Sequence, residues 1–437
     1  MCRIVVAALV AVLALAPSAA ARVVRAESVL PPGESGLVSA AGASPHVADQ
    51  VGLLTAFRYK PALLGAPGPQ ERPRPGVRIV RDAYGVPAIH GTTDADVWWG
   101  VGYVTAQDRL AQIELFRRAT SGTLAEVLGE GSLGDDVAAR RDFYTDAELR
   151  RQLARLPRAL RARFPAFADG VNAWIAHLRA TPADVPAEFG AFGIPLPRWT
   201  ALDSARIGNF LLRTVPSDDG NELPNLAALR AFGARRFQRI LPLRVPGQVT
   251  TIPAAEGRFP SQPGRTRAQE RRAWRRSLRW TRTLPLPPSA RAAVVPTGMA
   301  QQARSILGGQ GSFMWAIRRP GGRAYLYSGP QLGYNAPQRL YELEVHGPRD
   351  SVRGVVPPGV PAVAIGHNGH VAWGFTSALS DDDDLYAERL AAPGSTRYRY
   401  KGRWRRMRCR TQTFRYRSGD AMRSRRERLC RTVHGPV

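Results

Sequence analysis

Apolar residues recur along this chain at two periods, and the switch between them divides it. Val77-Arg78-Ile79-Val80 and Val86-Pro87-Ala88-Ile89 read as two strand pieces parted by a turn at Asp82-Ala83-Tyr84-Gly85. From Asp94 to Gly129 the spacing becomes helical, with Val97, Val101, Val104, Leu110, Ile113 and Leu115 on the apolar positions. Leu, Ala and Arg at helical intervals extend the pattern over 146–182, 202–213 and 222–241. Residues 256–311 lose it: Arg, Pro, Ser and Gly dominate, as in Leu284-Pro285-Leu286-Pro287-Pro288-Ser289, which predicts a surface connector with room for an excised spacer. Beyond Ser312 short strands are predicted at Met314–Ile317, Ala324–Tyr327, Tyr341–Val345, Val352–Val356, Ala362–Ile365 and Val371–Trp373, punctuated by Gly, Pro and Asn. No internal repeat is visible. The pattern predicts an α+β protein with a helical first half and a β-rich second.

Length and composition add scale. A chain of 437 residues with 44% hydrophobic content can bury a sizeable core in two or three domains of ordinary size. Lys+Arg 62 against Asp+Glu 35 gives a net charge of +27. That charge raises the question of nucleic acid. However, only Lys60 and Lys401 are lysines, and abundant Ala, Gly and Pro accompany the arginines, the mark of genome-wide base composition. The arginines are dispersed apart from runs near 264–282 and 402–428, and no zinc-finger, helix-turn-helix or aromatic RNA-binding motif accompanies them. The expectation is no nucleic-acid partner.

The first 21 residues read as a secretory signal: Arg3, an apolar stretch Ile4–Ala16 too short to span a bilayer comfortably, and an Ala19-Ala20-Ala21 cleavage site. An N-terminal membrane anchor is the rival reading. Export predicts a periplasmic or extracellular protein with no stable membrane span after cleavage. It leaves Cys409 and Cys430 as two cysteines able to pair in an oxidising compartment. The chain divides into a signal (1–21), a loosely ordered lead-in (22–75), a mostly helical region (76–285), a linker or spacer (286–311) and a β-rich region (312–437).

Candidate chemistry centres on Gly308-Gly309-Gln310-Gly311-Ser312-Phe313-Met314-Trp315. One reading is a flexible linker entering a strand. The other is a self-cleaving precursor. Cutting Gly311–Ser312 would free an α-amine titrating at about 7.7–8.0, so an N-terminal serine carries its own base and requires no histidine.

Upstream and downstream motifs decide between these. Arg81-Asp82-Ala83-Tyr84-Gly85-Val86-Pro87-Ala88-Ile89, Gly102-Tyr103-Val104-Thr105-Ala106-Gln107-Asp108-Arg109-Leu110, Arg117-Arg118-Ala119-Thr120-Ser121-Gly122 and Leu124-Ala125-Glu126 precede Ser312 and Trp315. Gly329-Pro330-Gln331-Leu332-Gly333, His346-Gly347-Pro348, Gly366-His367-Asn368-Gly369 and Trp373-Gly374 follow. In this order and spacing the chain resembles the penicillin acylase family of N-terminal-nucleophile hydrolases, over roughly 77–129, 205–235 and 312–437. The resemblance implies a precursor that cuts itself into α and β chains which stay associated. It implies a four-layer αββα fold, no organic cofactor, and hydrolysis of the amide of a small N-acylated substrate such as a β-lactam or an acyl-homoserine lactone.

By the resemblance, Ser312 is the nucleophile in both steps. Its hydroxyl attacks the Gly311 carbonyl, where the absent Cβ allows the backbone to distort. Freed, it then attacks substrate through an acyl-enzyme. The backbone N–H of Ser377 is implied as an oxyanion donor. The acidic run Asp381-Asp382-Asp383-Asp384 is either a solvated loop or, as the family implies, part of a calcium site. In the second reading Asp381 and Asp384 supply carboxylates, Asp383 a backbone carbonyl, and Glu222 a ligand from upstream. His367 reads as a turn residue. His46, His90 and His434 lack metal-ligand spacing, and Trp98-Trp99 reads as helix packing.

Two departures stand out. Phe313 occupies the place where the family usually has asparagine. Gln331 stands where many acyl-homoserine-lactone and lipopeptide acylases carry histidine and penicillin G acylases glutamine, which tilts the expectation towards the latter. Family β chains are several times longer than the segment from Ser312 onward, so a fragment or truncated frame, with the fold incomplete, is expected. A processed but inactive calcium-containing binding protein, or a cationic cell-envelope protein, are the rival readings.

Overall fold

The computed structural model describes residues 70–82, 84–214, 222–240, 266–284, 312–330, 339–376 and 384–437. The signal, most of the lead-in and the 286–311 spacer lie outside these residues. Helices and sheets are mixed, as the periodicity predicts.

The centre is a seven-stranded sheet in the order β1 (Glu71–Arg74), β2 (Val77–Arg81), β3 (Pro87–Gly91), β6 (Tyr341–His346), β7 (Ser351–Val356), β8 (Ile365–His367) and β9 (Ala372–Trp373). Every pairing is antiparallel except β3 with β6, which run parallel with Ile89 opposite Val345 and His90 opposite His346. The sheet therefore joins strands from both sides of Ser312. Val77 and Ile79, Ile89, and Leu343 and Val345 alternate onto one face and are almost wholly buried.

That face is covered by helix α1 (Asp94–Ser121), which begins with a capping box between Thr93 and Asp96. The helical stretch expected to run to Gly129 breaks at Gly122. This residue takes the left-handed conformation (φ 68°) that ends a helix, and the short α2 (Ala125–Leu128) follows. Next come α3 (Leu133–Asp142), α4 (Asp146–Arg155) and α5 (Arg158–Ala180). Pro157 divides the expected 146–182 helix, since the residue before a proline is pushed to extended backbone. The short α6 (Ala187–Ala191) leads to α7 (Ala201–Thr214) and α8 (Glu222–Ile240), which match expectation apart from a break at Gly233.

Helices α1 and α5 cross at van der Waals distance because each offers a glycine to the other's backbone. A Cβ on Gly102 would stand 2.0 Å from the Phe167 carbonyl oxygen, and one on Gly170 would stand 1.9 Å from that of Trp99. Trp98 and Trp99 pack into this core, 1% and 6% exposed.

Four differences separate the structure from the sequence reading. Strand β1 lies at the end of the segment read as lead-in. Helix α9 (Arg267–Thr281) lies inside the segment whose composition read as a surface connector, though within the region read as mostly helical; a Thr266–Gln269 capping box starts it, arginine is a good helix former, and Ala273, Trp274 and Leu278 form its narrow apolar stripe. The predicted Ala362–Ile365 strand is displaced to β8. Past residue 390 four strands appear that the apolar pattern did not reveal: β10 (Arg397–Tyr400), β11 (Arg403–Arg406), β12 (Arg408–Ser418) and β13 (Ala421–Arg431). Cys409 faces Cys430 across β12–β13 and the two form a disulfide. Phe414 and Leu429 of this hairpin pack on Ala125 and Leu133 in a second small core.

Candidate active site

Ser312 is the first residue of β4 (Ser312–Arg318), which pairs with β5 (Ala324–Pro330) so that Ser312 lies opposite Pro330. Side chains alternate along the hairpin. Phe313, Trp315, Ile317 and Tyr327 share one face, where Phe313, Tyr327 and Trp315 stack at centroid distances of 5.4 and 5.3 Å. Ser312 and Met314 share the other, with Ser328 opposite Met314. Gly374 sits against that second face. A Cβ there would stand 2.4 Å from Ser328 Oγ and 3.0 Å from Met314 Sδ. The hairpin carrying Ser312 thus adjoins Trp373-Gly374-Phe375-Thr376, the run that leads to Ser377. Gly311, Gln331 and Ser377 themselves lie outside the described residues, as do Asp381 and Asp383.

Glu222 opens α8, and its Oε2 is buried with no hydrogen-bond partner among the described residues. An unpartnered buried carboxylate oxygen is a costly state that a cation relieves. Asp384 is exposed. Among the described residues no three His, Cys, Asp or Glu side chains converge as a metal-binding group.

The sequence reading missed the network that ties the two halves together. Arg81, from the first upstream motif, donates to both carboxylate oxygens of Asp108 in the second, at 2.7 and 2.9 Å. It also donates to Gln107 Oε1 at 2.5 Å and to the Gly85 carbonyl at 3.0 Å. The Tyr341 hydroxyl, downstream of Ser312, donates to the same Asp108 Oδ2. Helix α1 leaves helical geometry at the next residue, Arg109 (φ −141°), whose guanidinium stands 5.6 Å from the Tyr341 ring centroid. Burial pushes the Tyr341 hydroxyl's pKa well up, and the Asp108 charge adds to it, so the phenol stays protonated as a donor. Burial alone would lower that of Arg81, but Asp108 foremost, with Tyr341 and Glu71, together outweigh it and keep the guanidinium charged. Arg81 and Asp108 stood in quoted motifs and Tyr341 only at the start of a predicted strand; what could not be read was that the three face each other.

Other contacts cross between the same two portions. Trp98 Nε1 and Arg163 donate to the two carboxylate oxygens of Asp350 at 2.8 and 2.9 Å, and Arg431 pairs with Glu148 at 3.1 Å. His90 and His346 stack at 4.4 Å.

Residues 76–437 match the penicillin amidase family. The chain belongs to that family. It is 33% identical to the penicillin G acylase of Escherichia coli over 392 residues, covering 83% of this chain and 45% of that protein. With the acyl-homoserine lactone acylase QuiP of Pseudomonas aeruginosa it shares 29% over 366 residues, covering 83% and 40%. With the penicillin acylase 2 proenzyme of Pseudomonas sp. it shares 30% over 327 residues, covering 73% and 38%. The chain spans less than half the length of these curated relatives. No helix among the described residues is long and apolar enough to cross a membrane.

Proposed function

We propose that this penicillin amidase family chain is an exported acylase precursor, cut at Gly311–Ser312, that hydrolyses the amide of an N-acylated small molecule such as a β-lactam or an acyl-homoserine lactone. The observation that carries the reading is the position of Ser312. It begins a strand, follows a glycine, and shares its face with the side against which Gly374 packs. A related protein that bears the name proenzyme supports a processing step.

In the first step the Ser312 hydroxyl adds to the Gly311 carbonyl and the peptide C–N bond breaks, leaving an ester and a free α-amine. Water then cleaves the ester. In the second, the Ser312 hydroxyl gives its proton to that amine, directly or through water, and forms the acyl-enzyme as the substrate's amine departs; water releases the acid. In this proposal the Ser377 N–H donates to the tetrahedral oxyanion. A four-layer αββα arrangement, periplasmic or extracellular location and lasting association of the two cut chains belong to the same proposal. The last is supported by the sheet, in which β1–β3 and β6–β9 flank the cut. Calcium belongs to it too, as a structural ion held by Glu222 and Asp384 with Asp381 and Asp383. The orphaned Glu222 oxygen supports that assignment.

Intact-mass measurement on purified protein should find a chain beginning at Ser312, absent from Ser312→Ala. An uncut product that still hydrolyses amides would overturn the reading.

A further inference from the structure

None of the arginines after residue 396 takes part in the steps proposed above. From Arg397 to Arg431 there are fifteen basic residues against two acidic ones, so a small fraction of the chain carries about half of its net charge. Its first part is the hairpin β10–β11, Arg397-Tyr398-Arg399-Tyr400-Lys401-Gly402-Arg403-Trp404-Arg405-Arg406, which holds only cations, aromatics and one glycine.

Register sorts these side chains. Tyr398 points to the body of the protein, where it is 2% exposed and its hydroxyl accepts from the Val433 N–H. The opposite face carries Arg397, Arg399, Trp404 and Arg406, all exposed. Arg397 stands directly opposite Arg406, a like-charge pairing that destabilises a hairpin in isolation. None of the three arginines has a carboxylate partner among the described residues. Arg397 lies 5.9 Å from the centroid of the Trp404 ring. The turn adds a further cation: Lys401 adopts φ 47°, the positive-φ non-glycine residue of the described chain, in a place that usually takes asparagine.

We propose that this outer face docks on an anionic phospholipid surface. Guanidinium groups match phosphate in paired hydrogen bonds, and an exposed indole between them suits the headgroup layer, where aromatic rings with a polar edge collect. Arg403 and Arg405 lie on the Tyr398 side of the ribbon, so the outer face is the one that sets three arginines beside an indole, and it offers that flat group to a flat array of charge. Such a surface removes the Arg397–Arg406 repulsion that the fold otherwise tolerates. A nucleobase is the poorer fit, because the guanidinium of Arg397 takes up a face of the one exposed indole on this side.

Vesicle flotation of the full chain tests this. Vesicles containing phosphatidylglycerol should carry the protein at low salt and release it at high salt, while phosphatidylcholine vesicles should not carry it. Replacing Arg397, Arg399 and Arg406 together by Gln should weaken binding by about a hundredfold, with the thermal midpoint no lower than that of the native protein, since the Arg397–Arg406 repulsion is removed. Replacing the same three by Lys should retain most of it. Arg271→Gln, Arg275→Gln and Arg279→Gln on α9 remove equal charge elsewhere and should have little effect. Equal losses from both Gln sets would reduce the attraction to net charge alone and overturn the proposal. So would stripping by millimolar inorganic phosphate, which would mark an ion site, or tighter binding to a short single-stranded oligonucleotide than to vesicles.

Discussion

Tyr341 is a strand residue whose hydroxyl reaches a carboxylate on a helix far upstream in sequence, and the energetics of that contact are testable one atom at a time. Tyr341→Phe removes a hydrogen bond to a charged group and should cost about 1.5–3 kcal/mol. Asp108→Asn leaves the Arg81 guanidinium buried without its counter-charge and should cost about 3 kcal/mol or more, although Gln107 and the Gly85 carbonyl still receive donors. Urea unfolding reads both, and near-zero effects from both would mean that the network contributes nothing to stability in solution. His90 gives a pH signature. Burial lowers its pKa, the nearby Arg78 and His346 add to the effect, and Glu344 opposes it. The folded state thus resists protonating a group that the unfolded chain protonates near its ordinary value of 6.5. In that window the unfolded state binds more protons, so this contribution is present above pH 6.5 and is lost on acidification below it. The denaturation midpoint of the native protein should fall on acidification more steeply than that of His90→Gln; parallel curves would refute the assignment. At this scale the sequence displayed the nucleophile candidate and the motif residues. It did not display Tyr341, because a tyrosine at the start of a strand looks the same whether its hydroxyl meets water or a buried aspartate.

Elements divide into those with an apolar rhythm and those without. Helices α1, α5, α7 and α8 and strands β2, β3, β6 and β7 were legible because each buries one stripe or one face. The strands β10–β13 were not, because arginines fill the positions where a period would show, and α9 was passed over because its narrow stripe of Ala273, Trp274 and Leu278 sits inside an arginine-rich, proline-flanked segment. Their stability comes from caps, from cross-strand pairing and, in β12–β13, from a covalent link. Reducing Cys409–Cys430, which lie 21 residues apart, should cost about 3 kcal/mol by the loop-entropy relation. Cys409→Ser with Cys430→Ser should lower the thermal midpoint accordingly, and an unchanged midpoint would mean the β12–β13 register is fixed by Phe414 and Leu429 alone. The α1–α5 crossing is less forgiving. Gly170→Ala drives a methyl into the Trp99 carbonyl and should destabilise by about 3 kcal/mol, whereas Ala at the open position Gly190 should change little.

At the scale of the molecule, the family was readable from a dozen short motifs in one order, while the sheet that unites them was not, since parallel pairing of β3 with β6 brings together strands some 250 residues apart. If calcium binds Glu222 and the acidic run, chelation should lower the thermal midpoint and restored calcium should recover it; no change in either direction would remove the ion from the proposal. The shared sheet also bears on history. As long as the backbone is whole, β3 and β6 find each other within one molecule, at a rate independent of how many molecules are present. Once Gly311–Ser312 is severed, the same two strands belong to separate polymers. Recovery from complete denaturation then becomes an encounter between strangers, slowing with dilution, although the finished particle is identical.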